Sequence, residues 1–188
     1  MNTDDRRLIV ESLAGRSAAF GELVVRHQDR LFNAVFRVLD NADDAADVVQ
    51  EAFINAYQSL RSFKGDSEFF TWLYRIAFNA AISLKRKKKA IASLDVRSDE
   101  RAGVAEPIDP SGYGQPGIAL ERSEDQAQLR AALDRLSPEH RAVLVLKEIE
   151  GHKYEEIADV LDVPVGTVRS RLHRARLELR AALETTEG

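Results

Sequence analysis

The sequence predicts an all-α protein of two small helical domains, and three observations carry that reading. Apolar residues recur at three- and four-residue steps over most of the chain. No segment alternates with the two-residue period of a half-buried strand. A stretch rich in proline and glycine interrupts the periodicity once, near the middle. With 188 residues and a hydrophobic content of 44%, the chain has enough apolar material to fill a core in each half. The domains are expected at residues 1–90 and 122–188, joined by a flexible acidic linker at 91–121.

The first expected helix begins near Phe20, where Phe20, Leu23, Val24, His27, Leu31, Val35 and Leu39 form one stripe. Asn41, followed by Asp43 and Asp44, is a good helix start: a capping side chain, then acids in the first turn. Val48, Val49, Ala52, Phe53 and Ala56 give that second helix its buried face. Residues 61–66, with Gly65, break the pattern. A third helix then places Phe69, Trp72, Leu73, Ile76, Ala77 and Ala80 on one face and ends in the run Lys85, Arg86, Lys87, Lys88, Lys89. Cations suit a helix C-terminus.

Residues 91–121 carry Pro107, Pro110 and Pro116 with Gly103, Gly112, Gly114 and Gly117, a composition that reads as a linker. Periodicity resumes at Leu129, Leu133 and Leu136. Ser137-Pro138-Glu139 is a second strong helix start, and Val143, Leu144, Leu146 and Ile149 carry that helix to Gly151, a C-cap. A short helix follows through Ile157, Ala158 and Leu161, broken by Asp162-Val163-Pro164. The last helix shows Val168, Leu172, Ala175 and Leu179.

Composition removes several function classes. There is no cysteine, so neither a disulfide framework nor a thiolate metal site is possible. His27, His140, His152 and His173 lack metal-ligand spacing, no glycine-rich phosphate loop is present, and no nucleophile–base cluster stands out; neither a cofactor nor enzymatic activity is expected. The acidic N-terminus has no apolar core of a secretory signal, and no apolar run approaches the ~20 residues a membrane span needs, so the expected location is the cytoplasm, with no membrane insertion.

Charge is distributed unevenly. The net charge is −4, but residues 61–90 hold 8 basic and 2 acidic side chains, and 163–188 hold 5 and 3, whereas 91–128 hold 3 and 8 and 129–162 hold 5 and 8. Attraction to phosphate is local, because salt limits it to ~8–10 Å. Two basic islands in an acidic chain therefore point to nucleic acid.

The sharpest motif is the segment Tyr154–Arg180. Two short helices on a tight turn pack through Ile157, Ala158, Leu161, Val163, Val168 and Leu172, leaving the second helix free to present Thr167, Arg169, Ser170, Arg171, His173, Arg174 and Arg176. An arginine fork fits both phosphate oxygens and the guanine edge, and a helix fits the major groove. The competing reading, a solvated amphipathic hairpin, normally alternates acids with bases; here Glu178 is the only acid between Val163 and Arg180. The pattern is that of a DNA-reading helix-turn-helix.

Residues 61–89 interleave bases with Phe63, Phe69, Phe70, Trp72, Tyr74 and Phe78. Aromatic faces stack on unpaired bases while cations follow the backbone. Phe69 and Trp72 lie on the apolar stripe and read better as core. Phe63, Lys64, Tyr74, Arg75 and Asn79 read as outward-facing contacts. In residues 43–57, Asp47, Gln50, Glu51 and Asn55 project opposite the apolar face, either as a solvated surface or as one that meets a basic partner.

Together the three elements resemble the extracytoplasmic-function group of bacterial RNA polymerase sigma factors, over about 20–89 and 122–181. Residues 43–57 look like that family's region 2.2, which docks on the coiled coil of the polymerase β′ subunit, and Asp47, Gln50 and Glu51 match its docking positions. The loop Phe63, Lys64, Gly65, Asp66 matches the loop that captures an unstacked base of the −10 element. Tyr74, Arg75 and Asn79 lie on the helix beside it, within residues 62–81, which look like regions 2.3 and 2.4, and Lys85 and Arg86 farther along that helix are expected −10 contacts as well. Residues 136–176 look like region 4, which contacts the β flap and reads the −35 element through Thr167, Arg169, Ser170, Arg171, His173, Arg174 and Arg176.

The resemblance implies core RNA polymerase and promoter DNA as partners, duplex at −35 and single-stranded at −10, with an anti-sigma factor as a common regulator. It also implies passage of the linker through a basic polymerase channel. Ala46 stands where the family usually has an acid, and Ser83 where Asp or Asn is frequent. Two rival readings are a conventional repressor or response-regulator output, for which an aromatic-lined basic loop has no use, and an enzyme carrying a nucleic-acid-binding domain.

Overall fold

The computed structural model describes residues 2–95 and 127–184. Among them there is no strand, and the helical expectation holds throughout. The acidic segment 96–121 lies outside the described residues.

Helix α1 (Thr3–Leu13) has no counterpart in the sequence reading. Its apolar face is only Leu8 and Ile9, too short to register as a stripe. What anchors it is polar: Asn2 caps it through the Asp4 amide at 3.1 Å, and the buried Asp5 carboxylate takes Arg26 at 2.8 Å and His27 at 3.0 Å from the next helix.

Helix α2 (Ser17–Leu39) buries Phe20, Leu23, Leu31, Val35 and Leu39 as the spacing predicts, with Val24 and His27 partly covered. It stops at Asp40, a non-glycine residue in the left-handed region at φ 56°. In α3 (Ala42–Ser59) Asn41 caps the Asp44 amide at 2.9 Å, and all five predicted face residues are buried. A single 3₁₀ turn (Leu60–Ser62) and the Gly65 loop, with φ 77°, lead into α4 (Phe69–Asp95).

Helix α4 departs from expectation in two ways. It continues through the basic run to Asp95 rather than ending there, so residues 91–95, read as the start of the linker, are helical. It is also buried on two sides. Phe69, Leu73 and Ala77 face the core, but Phe70, Tyr74 and Phe78 form a second file at four-residue spacing, with ring centroids 4.3 and 5.3 Å apart. One side of α4 packs on α2 and α3, and another receives the C-terminal module.

That module opens with α5 (127–135), where Ala132 is buried and Leu129 exposed; Leu136, in the bend that follows, is buried too. Ser137 caps α6 (Pro138–Leu144) through the His140 amide, with proline in the first turn as predicted. The helix then widens into a π turn (Val145–Ile149), closed by the Glu150 amide on the Val145 carbonyl at 3.0 Å. One extra residue in the turn rotates the residues after it about the helix axis. Ile149, read as part of the apolar face, is therefore exposed, and Glu150 is carried into the N-terminal module. Gly151, at φ 73°, reverses the chain into α7 (Tyr154–Leu161), which ends on left-handed Asp162 before α8 (Val165–Glu184).

Candidate nucleic-acid interface

In the C-terminal module, Ile157, Ala158, Leu161, Val168 and Leu172 are buried where α7 and α8 meet. The Val163 amide on the Ala158 carbonyl at 3.1 Å and the Thr167 amide on Pro164 at 2.8 Å fix the turn. This leaves Arg169, Ser170, His173 and Arg174 exposed along α8, with Thr167 and Arg171 half-exposed. Among the described residues, Arg169 and Arg174 make no ion pair, so a phosphate or base edge would displace only water from them. Arg176 differs: it grips Glu148 at 2.6 and 3.1 Å.

The N-terminal module gathers the loop residues around a cavity of about 320 Å³ lined by Phe63, Lys64, Gly65, Asp66, Thr71, Trp72 and Arg75, with Asp159 of α7 at its edge. Its size is at the lower end of small-ligand pockets, ~300–1,000 Å³. Phe63 is half-buried, its ring 5.1 Å from Trp72 and 5.9 Å from Phe69, so the loop rests on an aromatic floor. Lys64, Gly65, Asp66, Arg75 and Asn79 are exposed. The Ser83 hydroxyl turns back to the Asn79 carbonyl at 2.8 Å, which occupies it within the helix.

Tyr74 corrects the sequence reading: it is not outward-facing but 0% exposed. The C-terminal module covers it. Its hydroxyl donates to Glu150 at 2.7 Å and its ring meets His152 edge-on at 5.4 Å. Burial, then the bond to Glu150, drives its pKa well above the usual phenol range.

Tyr74 is not alone in meeting that module. Arg75 pairs with Asp162 at 3.0 Å, Lys85 with Asp134 at 3.0 Å, and Arg86 with Glu139. Each acid belongs to the C-terminal module. Lys85 also donates to the Leu39 carbonyl at 3.3 Å, and burial, with Arg141 nearby, lowers its pKa despite Asp134. Arg141, the bulkiest fully buried side chain among the described residues, ties the modules beside Lys85, donating to the Arg37 carbonyl at 2.6 Å while it pairs with Asp134 of its own module. The sequence offered a signal for this: residues 61–90 carry excess base and 129–162 excess acid, and the two attract each other.

On α3, Asp47, Gln50 and Glu51 are exposed together on one turn. Beside them runs an apolar groove of about 730 Å³ between α2 and α3, lined by Phe20, Val24, Phe32, Val49, Phe53 and Tyr57 and bordered by Ala46 and Gln50. Ile54 and Tyr57, about half exposed, belong to this surface and were missed from sequence because they lie off the buried stripe. No helix among the described residues is long and apolar enough to cross a membrane, and no cluster there could hold a metal ion.

Comparison with known proteins matches residues 23–91 to sigma-70 region 2 and residues 126–179 to sigma-70 region 4. The chain is 38% identical over 181 residues to the RNA polymerase sigma-H factor of Pseudomonas aeruginosa, covering 96% of this chain and 94% of that one. It is 40% identical over 176 residues to the ECF RNA polymerase sigma-E factor of Escherichia coli K12, covering 92% and 90%. Among solved structures, CnrH in complex with the cytosolic domain of CnrY aligns with a TM-score of 0.66 at 30% identity, over 97% and 99% of the two chains. The sigma factor RpoE of Bartonella quintana, in complex with the anti-sigma factor NepR, gives 0.66 at 27% identity, over 88% and 96%. The chain therefore belongs to the sigma-70 family as an extracytoplasmic-function (ECF) sigma factor, a protein that serves RNA polymerase in promoter-specific initiation of transcription.

Proposed function

We propose that this sigma factor anchors on duplex −35 DNA through α8, captures unpaired −10 bases through the Phe63–Asp66 loop and α4, and docks on core polymerase through Asp47, Gln50 and Glu51. The observation that carries this reading is the pairing of two different nucleic-acid surfaces in one chain. One is a helix of exposed arginines suited to a groove. The other is an aromatic-floored polar cavity beside cations, suited to a single base. The chain itself supplies no phosphodiester chemistry. Binding energy favours the open strand: stacking is worth ~1–3 kcal/mol per base, which offsets part of the cost of melting.

Geometry adds a requirement. Elements centred at −35 and −10 are about 25 base pairs apart, ~85 Å along B-DNA at ~3.4 Å per base pair. With α4 packed against α7, the modules are too close to reach both. Residues 96–126, fully extended, span at most ~110 Å. Promoter engagement therefore separates the modules, and the linker is long enough for it.

The α2–α3 groove extends the docking surface for the β′ coiled coil, and region 4 meets the β flap. Since CnrH and the Bartonella quintana sigma factor were solved with CnrY and with the anti-sigma factor NepR, we assign this chain an anti-sigma partner as well, in the cytoplasm. The decisive experiment is run-off transcription with core polymerase on a promoter from the same genome, with start-site mapping. The expected result is initiation at one position only when this chain is added. Unchanged transcription, with no association with core enzyme, would refute the reading.

A further inference from the structure

The side chain of Glu150 is only 8% exposed although it stands on a turn, because the other module has a slot for it. Tyr74 donates to Oε2 at 2.7 Å, Arg30 Nε approaches the same oxygen at 3.4 Å, and Arg37 Nη1 approaches Oε1 at 3.5 Å. The slot is built. Arg30 lies over the Phe70 ring at 4.3 Å, a contact made wholly within the N-terminal module. Two guanidinium groups and a phenol converging on one oxyanion recognise carboxylate and phosphate by the same chemistry.

The slot also lies beside the base cavity. Phe70 and Tyr74 of the slot alternate along the first turns of α4 with Thr71, Trp72 and Arg75 of the cavity. A strand with a base in that cavity would have its backbone within reach of this end of the helix. When the modules separate, Glu150 leaves with the C-terminal one, and the three donors lose the carboxylate that they share.

We propose that Arg30, Arg37 and Tyr74 form a binding site for a backbone phosphate of single-stranded DNA, and that Glu150 is its internal occupant, standing in for that phosphate while the modules are packed. The proposal rests on the functional reading above. It adds α2, through Arg30 and Arg37, to the DNA-contacting surface, and it makes DNA and the C-terminal module competitors for one slot.

The test uses the full chain. Binding of a dye-labelled oligothymidylate is measured by anisotropy across a salt series. In parallel, the distance between dyes on cysteines introduced at exposed Val25 and Leu177 is followed; the chain has no other cysteine. Glu150→Gln should lengthen the dye distance and tighten oligonucleotide binding by roughly tenfold, the factor for losing one charged competitor. Adding Arg37→Ala, or separately Arg30→Ala, to Glu150→Gln should reverse that gain. It should also reduce the slope of log affinity against log salt by ~0.7, as for one single-strand phosphate contact.

Unchanged affinity and distance in Glu150→Gln would overturn the proposal. So would tighter binding that the added arginine substitutions leave intact, since Glu150 would then act without a phosphate site beneath it. Inorganic phosphate competing as well as the oligonucleotide at equal phosphate concentration would assign the slot to a free anion and equally overturn it. Wild-type run-off transcription separates the two levels. Its failure removes the functional reading, while normal transcription with an inert Glu150→Gln removes only this site.

Discussion

Tyr74, in the second turn of α4, and Glu150, just after the π turn, share a 2.7 Å hydrogen bond across 76 residues of sequence. The phenol must stay protonated to donate. Burial and the adjacent carboxylate raise its folded pKa above the unfolded value of ~10. The stabilisation is therefore fully present below that value and is lost as pH climbs above it. Spectrophotometric titration should show a late phenolate step that coincides with separation of the modules, and Tyr74→Phe should abolish that step. A wild type with no such late step would contradict the coupling.

His27 sets an acid limit at the other end of the pH scale. Burial lowers its pKa and outweighs the attraction of Asp5, its partner at 3.0 Å. A depressed pKa gives stability present above the unfolded value of ~6.5 and lost as pH falls through the folded value. Nuclear magnetic resonance should place the His27 midpoint below ~6.5, and His27→Gln should flatten the fall of Tm with acidification. A midpoint at or above the unfolded value would reverse the assignment.

Glu51 is exposed, beside the apolar groove. Glu51→Arg should abolish co-purification with core polymerase while changing stability by less than ~0.5 kcal/mol, as is usual for a surface substitution. Retained association at unchanged Tm would remove Glu51 from the docking surface.

On α8 the arginines should not behave alike. Arg171→Ala should weaken specific −35 duplex binding by ~1–3 kcal/mol if it reads a base. Arg176 must first leave Glu148, which holds it at 2.6 Å, so Arg176→Ala should cost less. Binding assays on matched and altered duplexes would discriminate; equal losses for both would imply that the Glu148 pair is irrelevant.

Local signals were legible in the sequence because local chemistry decides them. Asn41 and Ser137 cap the helices they were expected to cap, and the helix-turn-helix interior from Ile157 to Leu172 follows from spacing alone. Helix α1 was not legible, since a buried Asp5 between Arg26 and His27 does its anchoring and no apolar stripe advertises it. Nor was the burial of Tyr74, because the residues that cover it come from the far end of the chain. The sequence displayed both partners, an excess of base in 61–90 and of acid in 129–162, but a one-dimensional charge inventory contains no distances.

Asp162 illustrates what the packed arrangement demands of single positions. It closes α7 at φ 53°, where glycine sits without steric penalty and an L-residue loses roughly 1 kcal/mol. Glycine there would make the isolated helix-turn-helix sturdier and leave Arg75 without its carboxylate. Local fitness and long-range grip thus pull this residue in opposite directions. The aspartate accepts a strained turn and contributes one exposed corner link between the halves, worth ~0–1 kcal/mol as a surface pair; glycine would release that corner alone, because Glu150, Asp134 and Glu139 still hold α4.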